Sequence, residues 1–369
     1  MSKITVSISL PGHDRSITIL EDQRVKAILQ EDRFSRIKND TGKFLICLEK
    51  LTQLVDKIDH LIIYNTLEQD ASYISNYLTK KGITVNSTYH FPLSDHHLGH
   101  AASGFYGSGF NKAICLSIDG YGGTTTLPDE DFKGRYTTRI YKASYPYTFE
   151  EKYSNVWYDS NHTLKFSPNV IKDNHDYNED LDIGFIFYAI GNFIGFPHQS
   201  DAGKVMGLSS YGKPNPKLPP ILYQDTIYGN SNLFSSEGGI KLKINPYLQN
   251  VDKEISKDLA FSVQKSLEKV FIKRVEQALS YSDTDNLVLS GGCFMNVIGN
   301  YLIKKHFPNI NLYIDPLSTD SGLSYGISKL IYHQGTDSME IDPLKHLYWG
   351  PRYSNNDLLN SIQEYEKYV

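Results

Sequence analysis

The sequence predicts an α/β protein built as two lobes that face a cleft, and three observations predict it. At 369 residues the chain exceeds one ordinary core, while 40% hydrophobic and 21% charged content is that of a globular protein. Two stretches, one at the N-terminus and one after residue 111, each open with short strands joined by tight polar turns. Alternating strands and helices follow in the first half and again in the last third, the order that builds parallel sheet.

Strand character runs from Ile4 to Leu10, Ser16 to Leu20 and Arg24 to Glu31, with Gly12 and Asp22 in the turns, which makes a β-meander. A helix is expected from Lys43 to Asp56, a strand from His60 to Asn65, a helix from Ala71 to Lys81 and a strand from Val85 to His90. A helix from about His96 to Gly107 closes a first lobe of residues 1–110. The second lobe, 111–340, starts again with a strand from Lys112 to Asp119 and a hairpin from Thr124 to Ser144. Tyr145 to Asp180 is rich in Tyr, Asn, Asp and Ser without a clear period, so an irregular insertion over the cleft is expected there.

A helix from Ile183 to Ile194, the segment Gly203 to Tyr211, a Pro-rich connection through Pro220 and a long amphipathic helix from about Lys257 to Tyr281 come next. The last third reads as strand Asn286 to Leu289, turn Ser290-Gly291-Gly292, helix to Lys305, strand Asn311 to Ile314 and helix Ser321 to His333. Residues 341–369 form a tail in which Ser354 to Tyr368 is at most one helix. Two halves of meander plus alternating α/β are the pattern of the actin-like ATPase (ASKHA) superfold, which holds a nucleotide between its lobes.

A formal net charge of -5 and a pI near 6.2 argue against a broad phosphate-binding surface, so nucleic acid is not a favoured partner. The three cysteines, Cys47, Cys115 and Cys293, are too widely spaced for a disulfide framework or a C-x-x-C knuckle, and a cytoplasmic location is expected. Met1 to Ile8 reads as a first strand and not as a signal peptide. The most apolar stretch, Gly184 to Phe196, is shorter than the about 20 residues a spanning helix needs, so no membrane segment is expected.

His96 and His100 lie one helical turn apart, so both imidazoles project from one helix face and can chelate one ion, with Asp119 at a strand end as a third ligand. The plainer reading of such a pair is surface decoration or a satisfied core. Asp320, just before a helix, is either its N-cap or a fourth ligand. A mixed nitrogen and oxygen set suits iron, zinc or manganese better than calcium or magnesium.

Gly291 and Gly292 form a turn between a strand and a helix where backbone can approach anionic oxygen, although many such turns only relieve crowding. His13 in the first turn could donate to a carbonyl or oxyanion, and Lys38 with the neighbouring arginines could hold phosphate or carbamoyl oxygen; a solvated charged loop is the alternative. Asp201 could accept ribose hydroxyls or a proton, and Lys204 could be its ion-pair partner. The G-x-x-x-x-G-K-[ST] spacing is absent, so this is not a Walker-type NTPase.

In this order, His13-Asp14, Glu31-Asp32-Arg33-Phe34-Ser35-Arg36-Ile37-Lys38, His96-His97-Leu98-Gly99-His100-Ala101, Asp119-Gly120, Gly203-Lys204-Val205-Met206-Gly207-Leu208, Ser290-Gly291-Gly292 with Asn296, and Asp320-Ser321-Gly322 resemble the signatures of the O-carbamoyltransferase family of nodulation-factor and antibiotic biosynthesis. Leu347-Tyr348-Trp349-Gly350-Pro351-Arg352-Tyr353 looks like its interdomain segment.

The resemblance implies a catalytic domain related to the tRNA threonylcarbamoyl transferases, acting on a hydroxyl of a small molecule, sugar or nucleoside. It implies a metal, commonly iron (Fe2+), held by His96, His100, Asp119 and Asp320 and touching the phosphate of carbamoyl-adenylate, itself made from ATP and carbamoyl phosphate. His13 and Lys38 then match positions near the carbamoyl and phosphate groups, and Asp201 an acidic position for ribose or base chemistry. Asp119, Gly120, Lys204, Gly291, Gly292 and Asn296 are expected to line the nucleotide.

Family members usually continue into a YrdC-like domain that makes carbamoyl-adenylate. Its counterpart is absent from these 369 residues, so a separate activating polypeptide is one expected partner. In the histidine motif Gly99 stands where alanine is more usual. The rival readings are a tRNA threonylcarbamoyl transferase-like enzyme, a catalytically silent nucleotide-binding partner with a structural metal, and a sugar kinase on the same superfold.

Overall fold

The structure is a computed structural model that describes residues 2–65, 68–120, 122–126, 133–157, 170–172, 175–178, 182–223, 226–229, 234–235, 241–242 and 253–366. The first sheet is built from β1 (Ile4–Leu10), β2 (Ser16–Glu21), β3 (Arg24–Gln30), β4 (Lys57–Asn65) and β5 (Thr84–His90) in the order β3-β2-β1-β4-β5. The first three strands are an antiparallel meander; β4 and β5 then add in parallel to β1. Parallel addition requires crossovers, and α2 (Leu45–Leu54) and α3 (Glu68–Lys80) supply them after the short α1 (Glu31–Ser35).

The second sheet repeats the plan. It contains β6 (Lys112–Ile118), β7 (Thr124–Thr126), β8 (Lys133–Ser144), β9 (Thr148–Trp157), β10 (Val170–Lys172), β11 (His175–Asn178), β14 (Asn286–Ser290) and β15 (Asn311–Ile314). Its order, β10-β11-β9-β8-β6-β14-β15 with β7 on β8, again sets a meander beside two parallel strands. A separate hairpin pairs β12 (Phe234–Ser235) with β13 (Lys241–Leu242).

The strand β9 corrects the expectation of an irregular stretch from Tyr145: it is the third strand of the second meander. Two register shifts against β8, at Tyr136/Thr138 and Ile140/Tyr141, interrupt the period of two by which a strand is read from sequence. The rest of that stretch holds β10 and β11, while 158–169, 173–174 and 179–181 lie outside the described residues.

Two helices lie between the sheets, α4 (His96–Ser108) and α9 (Leu323–Thr336). They are exchanged: α4 packs on β6 and β14 of the second sheet, and α9 on β1 and β2 of the first. Phe105, Tyr106, Ile62, Val288, Leu323 and Ile327 fill this middle layer and are fully buried, each large apolar side chain contributing about 1.5–3 kcal/mol. The helices touch through backbone, because a side chain at Gly326 would collide with the carbonyl of Gly99, and one at Gly99 would lie 2.9 Å from Leu323. Glycine at 99 thus costs about 1 kcal/mol of helix propensity but lets α9 seat on α4.

Outside the first sheet, α2 and α3 bury Cys47, Leu48, Leu51, Ile74 and Leu78. Outside the second lie α5 (Ile183–Phe193), α6 (Ala202–Ser209), α7 (Lys253–Ser280) and α8 (Val297–His306); α10 (Asn355–Glu366) ends the described chain. Among the described residues no helix is long and apolar enough to cross a membrane.

Candidate metal centre

One helical turn sets His96 and His100 on the same face of α4, and their Nε2 atoms are 3.1 Å apart. Asp119 follows β6 directly. Its amide donates to the carbonyl of Thr137 at 3.0 Å, and its Oδ1 accepts the Gly120 amide at 2.8 Å. That leaves Oδ2 facing the histidines, 3.3 Å from His96 Nε2 and 3.5 Å from His100 Nε2.

Asp320 opens a 3-10 turn, Asp320–Gly322, ahead of α9. It is the N-cap of neither element: Thr319 and Gly322 occupy those positions, and no side chain caps either. Its Oδ1 lies 3.4 Å from His96 Nε2 and 3.3 Å from His100 Nε2. The four side chains each offer an atom within 4.8 Å of the others.

The donor set fits a divalent transition ion: two imidazole nitrogens and two carboxylate oxygens converge on one point, three of the residues buried and Asp119 partly so. By themselves the groups balance only by holding protons. Burial works against charge on His100, yet hydrogen bonding to Asp119 and Asp320 outweighs it and pushes the imidazole up to about 10. Burial likewise opposes ionisation of Asp119, and His100 and His96 overcome it and hold the carboxyl well below its usual range. A cation can take the place of those protons. Neighbouring His97 lies outside the set; its buried ring meets Tyr136 edge-on at 6.5 Å, and burial pushes it well below the usual imidazole range.

The Gly291–Gly292 turn abuts the same place. Gly291 has φ +92, a conformation that favours glycine, and a side chain there would collide with the carbonyl of Ile118. A side chain on Gly292 would lie 2.9 Å from Asp119 Oδ1. Asn296, by contrast, has its side chain committed: it caps α8 through the Gly299 amide at 2.9 Å and exchanges hydrogen bonds of 3.0 and 2.8 Å with Gln264 of α7.

His13 contacts Asp14 at 3.1 Å, and that hydrogen bond, opposed by burial and helped by the charges of Asp320 and Asp119, pushes the imidazole up to about 9. Lys38 reaches across from the first lobe and donates to the carbonyl of Ser200 at 2.6 Å. Asp201 and Lys204 form an ion pair at 2.7 Å, and the lysine holds the Asp201 carboxyl below its usual range. Lys38 thus adjoins the segment that carries Asp201 and Lys204, while His13 is held by Asp14 and feels the charges of Asp320 and Asp119.

One contact was not visible in the sequence: the hydroxyl of Tyr64, on β4, lies 2.8 Å from His96 Nδ1, and both residues are buried. The alternation of β4 marks one face of a strand, but not what that face meets. A cavity of ≈ 500 Å³ lined by Arg24, Tyr325, Asp342 and Trp349 lies elsewhere, beneath residues 340–349, and shares no lining residue with the cluster.

Residues 78–328 match the family model described as "Carbamoyltransferase N-terminus". The chain is 22% identical to the "Uncharacterized protein sll1178" of Synechocystis, over 96% of this chain and 61% of that one. It is 24% identical to the "Nodulation protein NolNO" of Sinorhizobium fredii, over 94% of this chain and 50% of that one. The chain thus spans about half the length of the curated relatives it matches. Among solved structures, T. kodakarensis HypF superposes with a TM-score of 0.55 at 13% identity, covering 90% of this chain and 48% of HypF, and shows the actin-like fold.

Proposed function

We propose, for a chain that belongs to the carbamoyltransferase family, that it moves a carbamoyl group from carbamoyl-adenylate to a hydroxyl of a small molecule, sugar or nucleoside. The observation that carries this reading is the convergence of His96, His100, Asp119 and Asp320 beside the Gly291–Gly292 turn. A divalent transition ion, iron in the first instance, held by those four would supply Lewis-acid compensation for charge on the donor phosphate.

The chain's own groups do the rest. The turn at Gly291 and Gly292 lets backbone approach the phosphate, as does Gly120 after Asp119. His13, protonated at neutral pH, donates to the carbamoyl oxygen and favours the charge that develops there as the acceptor oxygen attacks the carbonyl carbon. The bond from that carbon to the phosphate oxygen then breaks, AMP leaves with the electron pair, and the proton of the acceptor hydroxyl passes to the departing phosphate or to water. Lys38 would hold a phosphate oxygen on exchanging its contact with Ser200. Asp201, kept ionised by Lys204, is better suited to accept ribose hydroxyl hydrogen bonds than to take a proton.

Carbamoyl-adenylate would come from ATP and carbamoyl phosphate on a YrdC-like unit, consistent with relatives about twice this length. Three free cysteines suit a reducing cytoplasm. The reading is tested by mass spectrometry of candidate alcohols incubated with carbamoyl-adenylate, with and without chelator. A mass gain of one carbamoyl unit that chelator abolishes is expected; a phosphorylated product overturns it.

A further inference from the structure

We infer that Tyr64 is the outer-sphere partner of His96, accepting its Nδ1–H and thereby holding the ring in the tautomer whose Nε2 lone pair faces the ion. The inference rests on the proposed reading that His96 is a metal ligand. A neutral imidazole that ligates through Nε2 carries its hydrogen on Nδ1, and that hydrogen needs an acceptor when buried. Tyr64 Oη, 2.8 Å from Nδ1, is the one hydrogen-bond partner recorded for that nitrogen among the described residues. Both side chains are almost fully buried, 2% and 3% exposed, so water does not readily replace the contact.

The Tyr64 ring is itself fixed. Phe91 meets it edge-on at 6.2 Å, and Tyr64 pairs with Ser9 one residue before the end of β1, beyond which lies the turn that bears His13. His100 differs, since its Nδ1 has no hydrogen-bond partner among the described residues. The orientation of the imidazole pair therefore depends on the Tyr64 contact to His96. That contact also crosses between lobes, because β4 belongs to the first sheet and α4 packs on the second.

The test uses Co2+ as a spectroscopic probe and Zn2+ as a diamagnetic one. The variant Tyr64→Phe, checked by circular dichroism and by its melting temperature in chelator, is expected to bind Co2+ 10- to 100-fold more weakly with an altered visible absorption band. In wild-type protein loaded with Zn2+, ¹⁵N correlation spectra are expected to show His96 protonated at Nδ1. A folded Tyr64→Phe with wild-type Co2+ affinity and spectrum, or Zn2+-loaded His96 protonated at Nε2, overturns the inference. His96→Ala separates the two layers: unchanged Co2+ binding there removes the ligand reading itself, whereas lost binding there beside an unaffected Tyr64→Phe removes only the role of Tyr64.

Discussion

His100 Nε2 lies 3.3 Å from Asp320 Oδ1, and no local element holds the two together. His100 rides on α4, which rests on the second sheet, while Asp320 leads into α9, which rests on the first. Their approach depends on the crossing of the two helices at Gly99 and Gly326. An ion held between them would therefore tie the two lobes together, and its affinity reports their arrangement.

Ion binding is the first consequence. Wild-type protein is expected to take up one Co2+ per chain, and saturation at about 1,000 times the dissociation constant stabilises it by about 4 kcal/mol. In Asp320→Asn or His100→Ala, calorimetric melting should lose this metal-dependent increment, read in each variant as the difference between its metal-loaded melt and its own melt in chelator. A wild-type melting temperature indifferent to metal and chelator would falsify the centre.

The second concerns pH. His13 is raised to about 9 chiefly by its hydrogen bond to Asp14, so the donor form persists through neutrality and is lost as pH rises through that value. Carbamoyl transfer should fall on the alkaline side near 9. Asp14→Asn weakens the hold, and the alkaline limb of kcat/KM should move down by a pH unit or more; a limb that stays in place removes His13 from the reaction.

Asp315 offers a stability test at a residue outside the proposed ligand set, although the charge of His100 reaches it. Burial pushes its carboxyl from 3.8 up to about 6, although Oδ1 accepts the Leu317 amide at 2.9 Å. The folded chain therefore binds more protons than the unfolded chain between those values, and stability is lost as pH rises through the window. Asp315→Asn keeps an acceptor for Leu317 and removes the buried charge. Urea unfolding should show a gain of about 1–3 kcal/mol at pH 8 that shrinks toward pH 4; equal effects at both pH values would count against the assignment.

Gly291 probes the turn proposed to receive the phosphate. Its positive φ and its contact with the Ile118 carbonyl leave no room for a methyl group, so Gly291→Ala should destabilise by about 2 kcal/mol or more. The displaced turn should also weaken nucleotide binding, measurable by calorimetry. Gly203→Ala, where nothing lies within 4 Å of the added carbon, is the control and should leave the melt nearly unchanged.

Much of this protein could be read locally. The bounds of β1 and β15 agree with their apolar patterns, and α4 begins at His96, so period 3.6 alone put His96 and His100 on one face. The two meanders were legible because turn residues punctuate them, except for β9, where the extra residue Lys152 shifts the alternation. Whether Asp320 caps a helix or faces an ion was open in the sequence, since an acidic residue before a helix serves both ends. Asn296 was expected to line the nucleotide, and its side chain bonds instead to Gln264 and the start of α8.

Sequence by itself determined what short-range hydrogen bonding and side-chain periodicity determine: the strands, the helices and the pairing of two imidazoles. Tertiary structure decided which distant groups share a point, namely Asp119 and Asp320 at that pair, Tyr64 behind it and Lys38 at Ser200. The physical reason is that these meetings follow from the packing of α4 and α9 between two sheets, and packing depends on the shapes of residues far apart in the chain.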